Sequence, residues 1–155
     1  MQLTQEDFKK YVQLSPNISL AQLQNSIDDA LKMDVRPLLG DLHDRLTGAA
    51  PATPLTAQEV KAQELVTPVW VCHAFQRFLE WHGVTVAAAG ITQPKDEKGA
   101  YEHISEARRA QLLRSVGGNI AYYEGELGKA LKEINGTGRG GSKRSRIGLR
   151  VIRPR

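Results

Sequence analysis

The stretch that decides the fold is residues 105–134, SEARRAQLLRSVGGNIAYYEGELGKALKEI. Its large apolar side chains are spaced by four, four, three, four, four and three residues. They are Leu112, Val116, Ile120, Tyr123, Leu127, Leu131 and Ile134. Because an α-helix turns every 3.6 residues or so, this spacing puts all of them on one side and predicts a long amphipathic helix. Ser105 is the expected N-cap and Ile104 its hydrophobic staple, and Gly136 and Gly138 are expected to end the helix.

The apolar stripe of this helix has two interpretations. The preferred one is packing against the core of the same chain, and the alternative is pairing between subunits. Gly117 and Gly118 lie inside the helix, where each glycine costs roughly 1 kcal/mol relative to alanine. Their presence indicates that a neighbouring helix packs closely there or that the helix kinks.

Three helical segments are expected before residue 48. Residues 4–14, TQEDFKKYVQL, form a short helix with Thr4 as its N-cap. Ser19 and Gln22 have the spacing of a capping box and precede an amphipathic helix, which Pro37 should bend or end. Residues 38–48, LLGDLHDRLTG, are then expected to add one or two helical turns.

The middle of the chain predicts the central helix of the core. After a loop at residues 48–58, Thr56 and Glu59 form another capping box. The dipeptide Thr67-Pro68 is expected to restart or kink the helix, with proline at a first helical position. Residues 69–81, VWVCHAFQRFLEW, are apolar nearly all round, which is typical of a helix buried on every side.

Residues 83–94, GVTVAAAGITQP, are the one segment with β character, because valines alternate with a threonine between turn residues. Residues 94–99 follow as a charged loop.

The predicted fold is therefore mainly α: a helical bundle of about four helices, a short β strand or hairpin between the last two, and an extended C-terminal arm. Residues 1–135 are the folded domain, and residues 136–155 are the arm.

Length and composition limit the class of protein to which this chain can belong. A chain of 155 residues with 41% hydrophobic and 25% charged residues is the size of one globular domain. No apolar run approaches the roughly 20 residues that cross a bilayer, and the start does not read as a signal peptide, so we expect no membrane association and a cytosol-like compartment. With Cys72 as the single cysteine, neither an intrachain disulfide nor a cysteine-rich zinc site is expected.

The positive charge is concentrated in the arm. It holds seven of the chain's 21 lysines and arginines and none of its 17 acids. The first 135 residues therefore carry 14 cations against 17 acids, a net charge of −3, although the whole chain is +4. Such an asymmetry predicts that the arm has a partner of its own.

The arm has three interpretations: a nucleic-acid arm that binds phosphates, a solvated tail, and a segment that folds on another protein. The third is preferred, because apolar residues alternate with cations, as in a strand added to a partner's sheet edge. The candidate partner-binding residues are Arg139, Lys143, Arg144, Arg146, Ile147, Leu149, Arg150, Val151, Arg153 and Arg155. The arm has no aromatic residue that would stack on single-stranded bases.

No constellation for catalysis or metal binding is expected. The four histidines, His43, His73, His82 and His103, lack metal-ligand spacing and are interpreted as solvated or core residues. Cys72 and His73 are neighbours, which point about 100° apart on a helix, so Cys72 is interpreted as a buried structural residue. The glycine-rich residues 136–145 do not have the phosphate-loop spacing. We therefore predict no enzyme and no cofactor.

The order of elements resembles that of the head–tail connector proteins (adaptor or head-completion proteins) of tailed bacteriophages. Three stretches carry the resemblance: residues 20–42, LAQLQNSIDDALKMDVRPLLGDL; residues 68–86, PVWVCHAFQRFLEWHGVTV; and residues 104–134, which include the long helix. The first stretch is a predicted helix, the second is a helix that leads into a strand, and the third is another helix. The arm follows the third stretch.

The resemblance implies a structural virion protein: a homo-oligomeric ring, usually dodecameric, that docks beneath the portal protein, joins capsid to tail and extends the DNA ejection channel. It implies contact with the portal through the arm, contact with a downstream tail or neck protein, and genomic DNA that passes through the lumen without sequence-specific binding. Candidate subunit or tail contacts lie at the β segment and the charged loop: Val84, Val86, Lys95, Asp96, Glu97 and Lys98. Assembly would take place in the bacterial cytoplasm.

The alternative is a nucleic-acid-binding protein whose basic arm lies on phosphates. Such a protein is expected to carry a basic patch on its folded surface as well. The net negative charge of residues 1–135 therefore favours the connector interpretation.

Overall fold

The computed structural model of the protein describes residues 1–12, 14, 18–48, 53–81, 85–87, 90–92 and 106–137. These residues are mainly helical. The helices are α1 (Gln5–Tyr11), α2 (Leu20–Ala30), a π-helical turn (Leu31–Val35), α3 (Arg36–Leu39), a 3₁₀ turn (Gly40–Leu42), α4 (His43–Thr47), α5 (Ala57–Trp81) and α6 (Glu106–Thr137). Because the segments from α2 to α4 follow one another without a break, the described helices form four units, which confirms the predicted helical bundle.

The predicted caps at the start of the first two helices are confirmed. At α1 the Thr4 hydroxyl accepts a hydrogen bond from the Asp7 backbone amide, and the Asp7 carboxylate accepts one from the Thr4 amide at 2.8 Å. At α2 the Ser19 amide donates to the side-chain oxygen of Gln22, also at 2.8 Å. These contacts satisfy backbone amides that have no partner within a helix.

The helical segment passes through Pro37 to Leu39, so it does not end at this proline. Proline lacks an amide hydrogen, so the normal helical bond at its position cannot form. The turn before it is π-helical, and the Arg36 amide donates to the Leu31 carbonyl, five residues back. Gly40 then takes a φ of +53°, a conformation that favours glycine, and the chain turns into α4.

Helix α5 differs from the prediction at Pro68. The expected capping box is present, because the Thr56 amide donates to Glu59 at 2.7 Å and the Glu59 amide donates to the Thr56 hydroxyl at 3.3 Å. The helix then continues through Pro68 to Trp81, so the predicted restart at Thr67-Pro68 is wrong. Pro68 is buried among apolar neighbours, and burial of this face outweighs the hydrogen bond that proline removes.

Helix α5 is the centre of the core, as predicted. The residues Val69, Val71, Cys72 and Ala74 are fully buried, and α1, α2, α4 and α6 all pack on this helix. The Trp70 indole donates a buried hydrogen bond of 2.8 Å to the Ile27 carbonyl of α2.

Helix α6 lies along α5 with the predicted stripe facing inward. Val116, Ile120, Leu127 and Ala130 are buried, and the other stripe residues are partly buried against the same core. Packing within the chain therefore accounts for the stripe. The helix ends at Thr137, between the two glycines, Gly136 and Gly138, that were expected to end it.

Two short strands are described between α5 and α6. The strands β1 (Thr85–Ala87) and β2 (Gly90–Thr92) pair antiparallel, with Val86 opposite Ile91. The remainder of residues 82–105 lies outside the described residues, as do Ser105, the expected N-cap of α6, and residues 138–155. A β element as a feature of the fold, and the extended arm, therefore stay predictions.

Candidate functional site: the outward face of α6 and the arm

Helix α6 presents a continuous exposed face opposite its buried stripe. Its residues recur at steps of three and four, and all are exposed: Ala107, Gln111, Arg114, Gly118, Ala121, Gly125, Lys129, Lys132 and Gly136. We call this set the outward face. Three of its side chains are cationic, and two acids lie beside them: the partly exposed Glu126, three residues before Lys129, and the exposed Glu133, next to Lys132. From Arg114 to Lys132 it extends about 27 Å, at roughly 1.5 Å per residue.

Small residues occupy the middle of the outward face. A Cβ atom added at Gly118 or Gly125 would meet nothing within 4 Å, and the same holds for Gly117 and Gly128 beside the face. The predicted close approach of a neighbouring helix at Gly117 and Gly118 is therefore wrong within this chain. Each glycine still costs the helix roughly 1 kcal/mol relative to alanine, and intramolecular packing does not account for that cost.

The cations of the outward face differ in their partners. Lys129 forms an ion pair of 2.6 Å with Glu126, one turn earlier in α6. Arg114 and Lys132 have no ion-pair partner among the described residues. Exposed charges without partners are fully hydrated and remain available for an external anion.

The arm begins where the outward face ends. Helix α6 runs to Thr137, so Arg139, the first cation of the arm, follows two residues later in the sequence. All ten candidate arm residues, from Arg139 to Arg155, lie outside the described residues. The same is true of Val84 and of the loop residues Lys95, Asp96, Glu97 and Lys98. Val86 lies in β1.

A polar junction, which the sequence did not reveal, joins three helical segments. His73 of α5 lies between two carboxylates: its Nε2 atom is 2.8 Å from Glu124 Oε1 of α6, and its Nδ1 atom is 3.6 Å from Asp34 Oδ2 of the π-helical turn. Arg77, one turn after His73, donates two hydrogen bonds to Asp34, of 2.7 and 3.0 Å. These contacts hold α6 and the π-helical turn against α5.

A second polar cluster fixes the end of α4 to the start of α5. The Arg45 guanidinium makes a two-pronged contact with the Glu59 carboxylate, and its Nη2 atom donates to Glu59 Oε2 at 2.9 Å. Arg45 also donates to Thr53 Oγ1 at 2.8 Å and to the Pro54 carbonyl at 3.1 Å. The Arg45 side chain, followed by the Thr56 amide, lowers the pKa of the buried Glu59 carboxyl to about 2.

The remaining candidates for chemistry are separate from one another. Cys72 is fully buried, as predicted, and burial raises the pKa of its thiol to about 11. His43 is adjacent to Asp44, with its Nδ1 atom 2.8 Å from the carboxylate, while His82 and His103 lie outside the described residues. In the described ranges, no group of three or more histidine, cysteine or acidic residues could hold a metal ion.

Two depressions lie on the described surface. One, of about 270 Å³, lies where α1, α5 and α6 meet, between Lys10, Phe75 and Asn119. The other, of about 420 Å³, is open to solvent beside Met1, Gly48 and Gln63.

Comparison with known proteins finds no family model, no curated protein and no solved structure that matches this chain. The described helices include none that is both long and apolar enough to span a bilayer.

Proposed function

We propose that this protein is a structural subunit of a bacteriophage head–tail connector ring, located in the neck of the virion, which docks beneath the portal protein through its basic arm. The β element between α5 and α6 would contribute contacts to a neighbouring subunit or to a tail protein. Copies of the chain would surround the channel through which genomic DNA passes.

The observation that carries this proposal is the separation of the chain into a helical body and a cationic end. The core ends with α6, whose last partly buried residue is Ile134. Residues 1–135 have a net charge of −3, and the residues beyond them carry seven cations and no acid. The alternation of Ile147, Leu149 and Val151 with arginines supports a strand that binds a partner's sheet edge.

Binding to the portal protein encoded by the same genome tests the proposal. The full chain and a chain that ends at Thr137 are mixed with purified portal rings, and bound protein is measured by sedimentation and negative-stain imaging. We expect the full chain to bind and to form a ring on the portal. The shortened chain keeps the whole described core, so we expect an unchanged circular dichroism spectrum and no binding. Equal binding by both chains would contradict the role of the arm.

A second candidate, a nucleic-acid-binding protein, is supported by one observation. The residues that follow α6 carry seven cations and no acid, a composition that suits phosphates. The two functions differ in what a salt titration with DNA should show. Tight binding at physiological salt that is lost with the arm, without any binding to portal rings, would favour the second candidate.

A further inference from the structure

We propose that the polar junction is a proton-dependent switch: a protonated His73 ring holds α6 and the π-helical turn against α5, and a neutral ring holds them less tightly. Four side chains form the switch: His73, Asp34, Glu124 and Arg77. The inference goes beyond the proposed function and does not rest on it, because every contact that carries it lies within one chain.

The two nitrogen atoms of the His73 ring face two different carboxylates. The Nε2 atom is 2.8 Å from Glu124 Oε1 of α6, and the Nδ1 atom is 3.6 Å from Asp34 Oδ2 of the π-helical turn. A neutral imidazole has one N–H group, so one of its nitrogens presents a lone pair, whereas an imidazolium has an N–H group at both nitrogens. Only the protonated ring therefore attracts both carboxylates.

The charges at the junction balance only when His73 carries a proton. Asp34 and Glu124 contribute two negative charges, and Arg77 contributes one positive charge. With a neutral ring, two carboxylates stand against one guanidinium and leave an excess of negative charge at the junction. A proton on the ring removes this excess, so protonation strengthens the attraction between the three helical segments.

The other titratable groups near the junction do not supply this balance. Asp29 of α2 and Glu80 of α5 act on the guanidinium and add negative charge. The buried thiol of Cys72, whose pKa burial raises to about 11, and the phenol of Tyr123, whose pKa burial also raises, are uncharged between pH 5 and 8. Histidine is the side chain that ordinarily changes charge in this range, so His73 is the group that operates the switch.

The contact with α6 is the side of the junction that can open. Arg77 fixes Asp34, because the guanidinium donates hydrogen bonds of 2.7 and 3.0 Å to its two carboxylate oxygens. When the ring is neutral, one carboxylate faces a lone pair, and Asp34 cannot turn away. Glu124 is 35% exposed and can turn into water, so the repulsion is relieved there.

Loss of the proton weakens the packing of α6 without releasing the helix. Ile120 and Leu127, on either side of Glu124 along α6, are buried, and the burial of apolar side chains does not depend on pH. The switch therefore changes the strength of the contact between α5 and α6 and leaves the fold intact. We expect this part of α6 to open more often at pH 8 than at pH 5.5.

Urea unfolding of the full chain at pH 5.5 and pH 8 tests the switch. The proton adds attraction only in the folded chain, so the stability that it provides is present at pH 5.5 and is lost as the pH rises to 8. We expect the unfolding equilibrium constant of the original protein, divided by that of His73→Gln, to rise about tenfold between these pH values, because two partly exposed ion pairs contribute a few-fold each. The carboxyl of Glu59 is ionised at both values and does not alter the comparison.

His43→Gln is the matched control for this measurement. His43 also lies beside a carboxylate, that of Asp44, but Asp44 is 93% exposed and the pair is screened by water. This variant should keep the pH dependence of the original protein to within about twofold. A ratio for His73→Gln that stays constant or falls between pH 5.5 and pH 8 would show that His73 only fills space, and it would overturn the inference.

Glu124→Gln tests the link to α6, because it removes one partly exposed charge and leaves the core untouched. Hydrogen exchange of the α6 amides, corrected for the direct effect of pH on the chemical rate, is followed by mass spectrometry at the same two pH values. We expect protection between Ile120 and Leu131 to fall several-fold at pH 8 in the original protein and no more than half as much in Glu124→Gln. Equal changes in both proteins would overturn the inference. Neither experiment uses portal protein, so a failure here leaves the proposed function standing.

Discussion

The contact between Arg45 and Glu59 makes the stability of the fold depend on pH: the fold is less stable in acid. Glu59 is 6% exposed, and Arg45 lowers the pKa of its carboxyl from 4.5 to about 2. Because the folded state holds the proton less tightly than the unfolded chain, acid favours unfolding. The contribution is complete above pH 4.5 and is lost as the pH falls towards 2.

The size of this contribution follows from the pKa. A fall from 4.5 to about 2 corresponds to roughly 3.4 kcal/mol, at about 1.36 kcal/mol per pH unit. The Arg45 side chain is 29% exposed, and screening by water reduces the expected value to about 2 kcal/mol. Glu59→Gln should therefore lower the free energy of unfolding by about 2 kcal/mol at pH 7.

Urea unfolding followed by circular dichroism, at several pH values between 7 and 2.5, measures this effect. We expect the difference between the original protein and Glu59→Gln to be largest above pH 4.5 and to shrink as the pH falls. Glu6→Gln is the control, because Glu6 is 78% exposed and pairs with Lys9 at the surface; it should change stability by less than about 0.5 kcal/mol. A difference at Glu59 that stays constant down to pH 2.5 would refute the electrostatic explanation.

Three further outcomes test other parts of the structure. Gly118→Ala with Gly125→Ala should raise the free energy of unfolding in urea by about 1 kcal/mol for each site, because the added methyl groups enter open space; destabilisation would show that the face is already covered. Asp34→Asn should lower stability by about 1–3 kcal/mol, because the two hydrogen bonds from Arg77 lose their charged acceptor, and a loss within measurement error would contradict the proposed importance of the junction. Cys72 should react with an aromatic disulfide reagent at pH 8 only after denaturation, and immediate labelling of the folded protein would contradict its burial and its raised pKa.

Local signals in the sequence account for most of the helix boundaries. Thr4 and the pair Thr56 and Glu59 are recognisable because a cap and its amide lie within three residues of each other. Pro68 shows where local reasoning fails: proline favours a helix start, but α5 is buried on nearly every side and tertiary packing keeps it continuous.

The candidate site was only partly predictable, for two different reasons. The junction of His73 with Asp34 and Glu124 joins residues far apart along the chain, and helical periodicity cannot reveal which faces of different helices meet. The outward face was present in the sequence as the spacing of Arg114, Gly118 and Gly125. That these glycines lie beside open space, and not against a neighbouring helix of the same chain, became visible only in the structure.

The central claim is that an anionic helical body is fixed to a partner by the cationic residues that follow α6. Cryo-electron microscopy of the virion that carries this protein tests it most directly. The account predicts a closed ring of copies at the head–tail junction, with residues 138–155 of each copy lying on the portal protein. Copies that lie elsewhere in the particle, or a ring in which those residues contact no neighbouring protein, would contradict it.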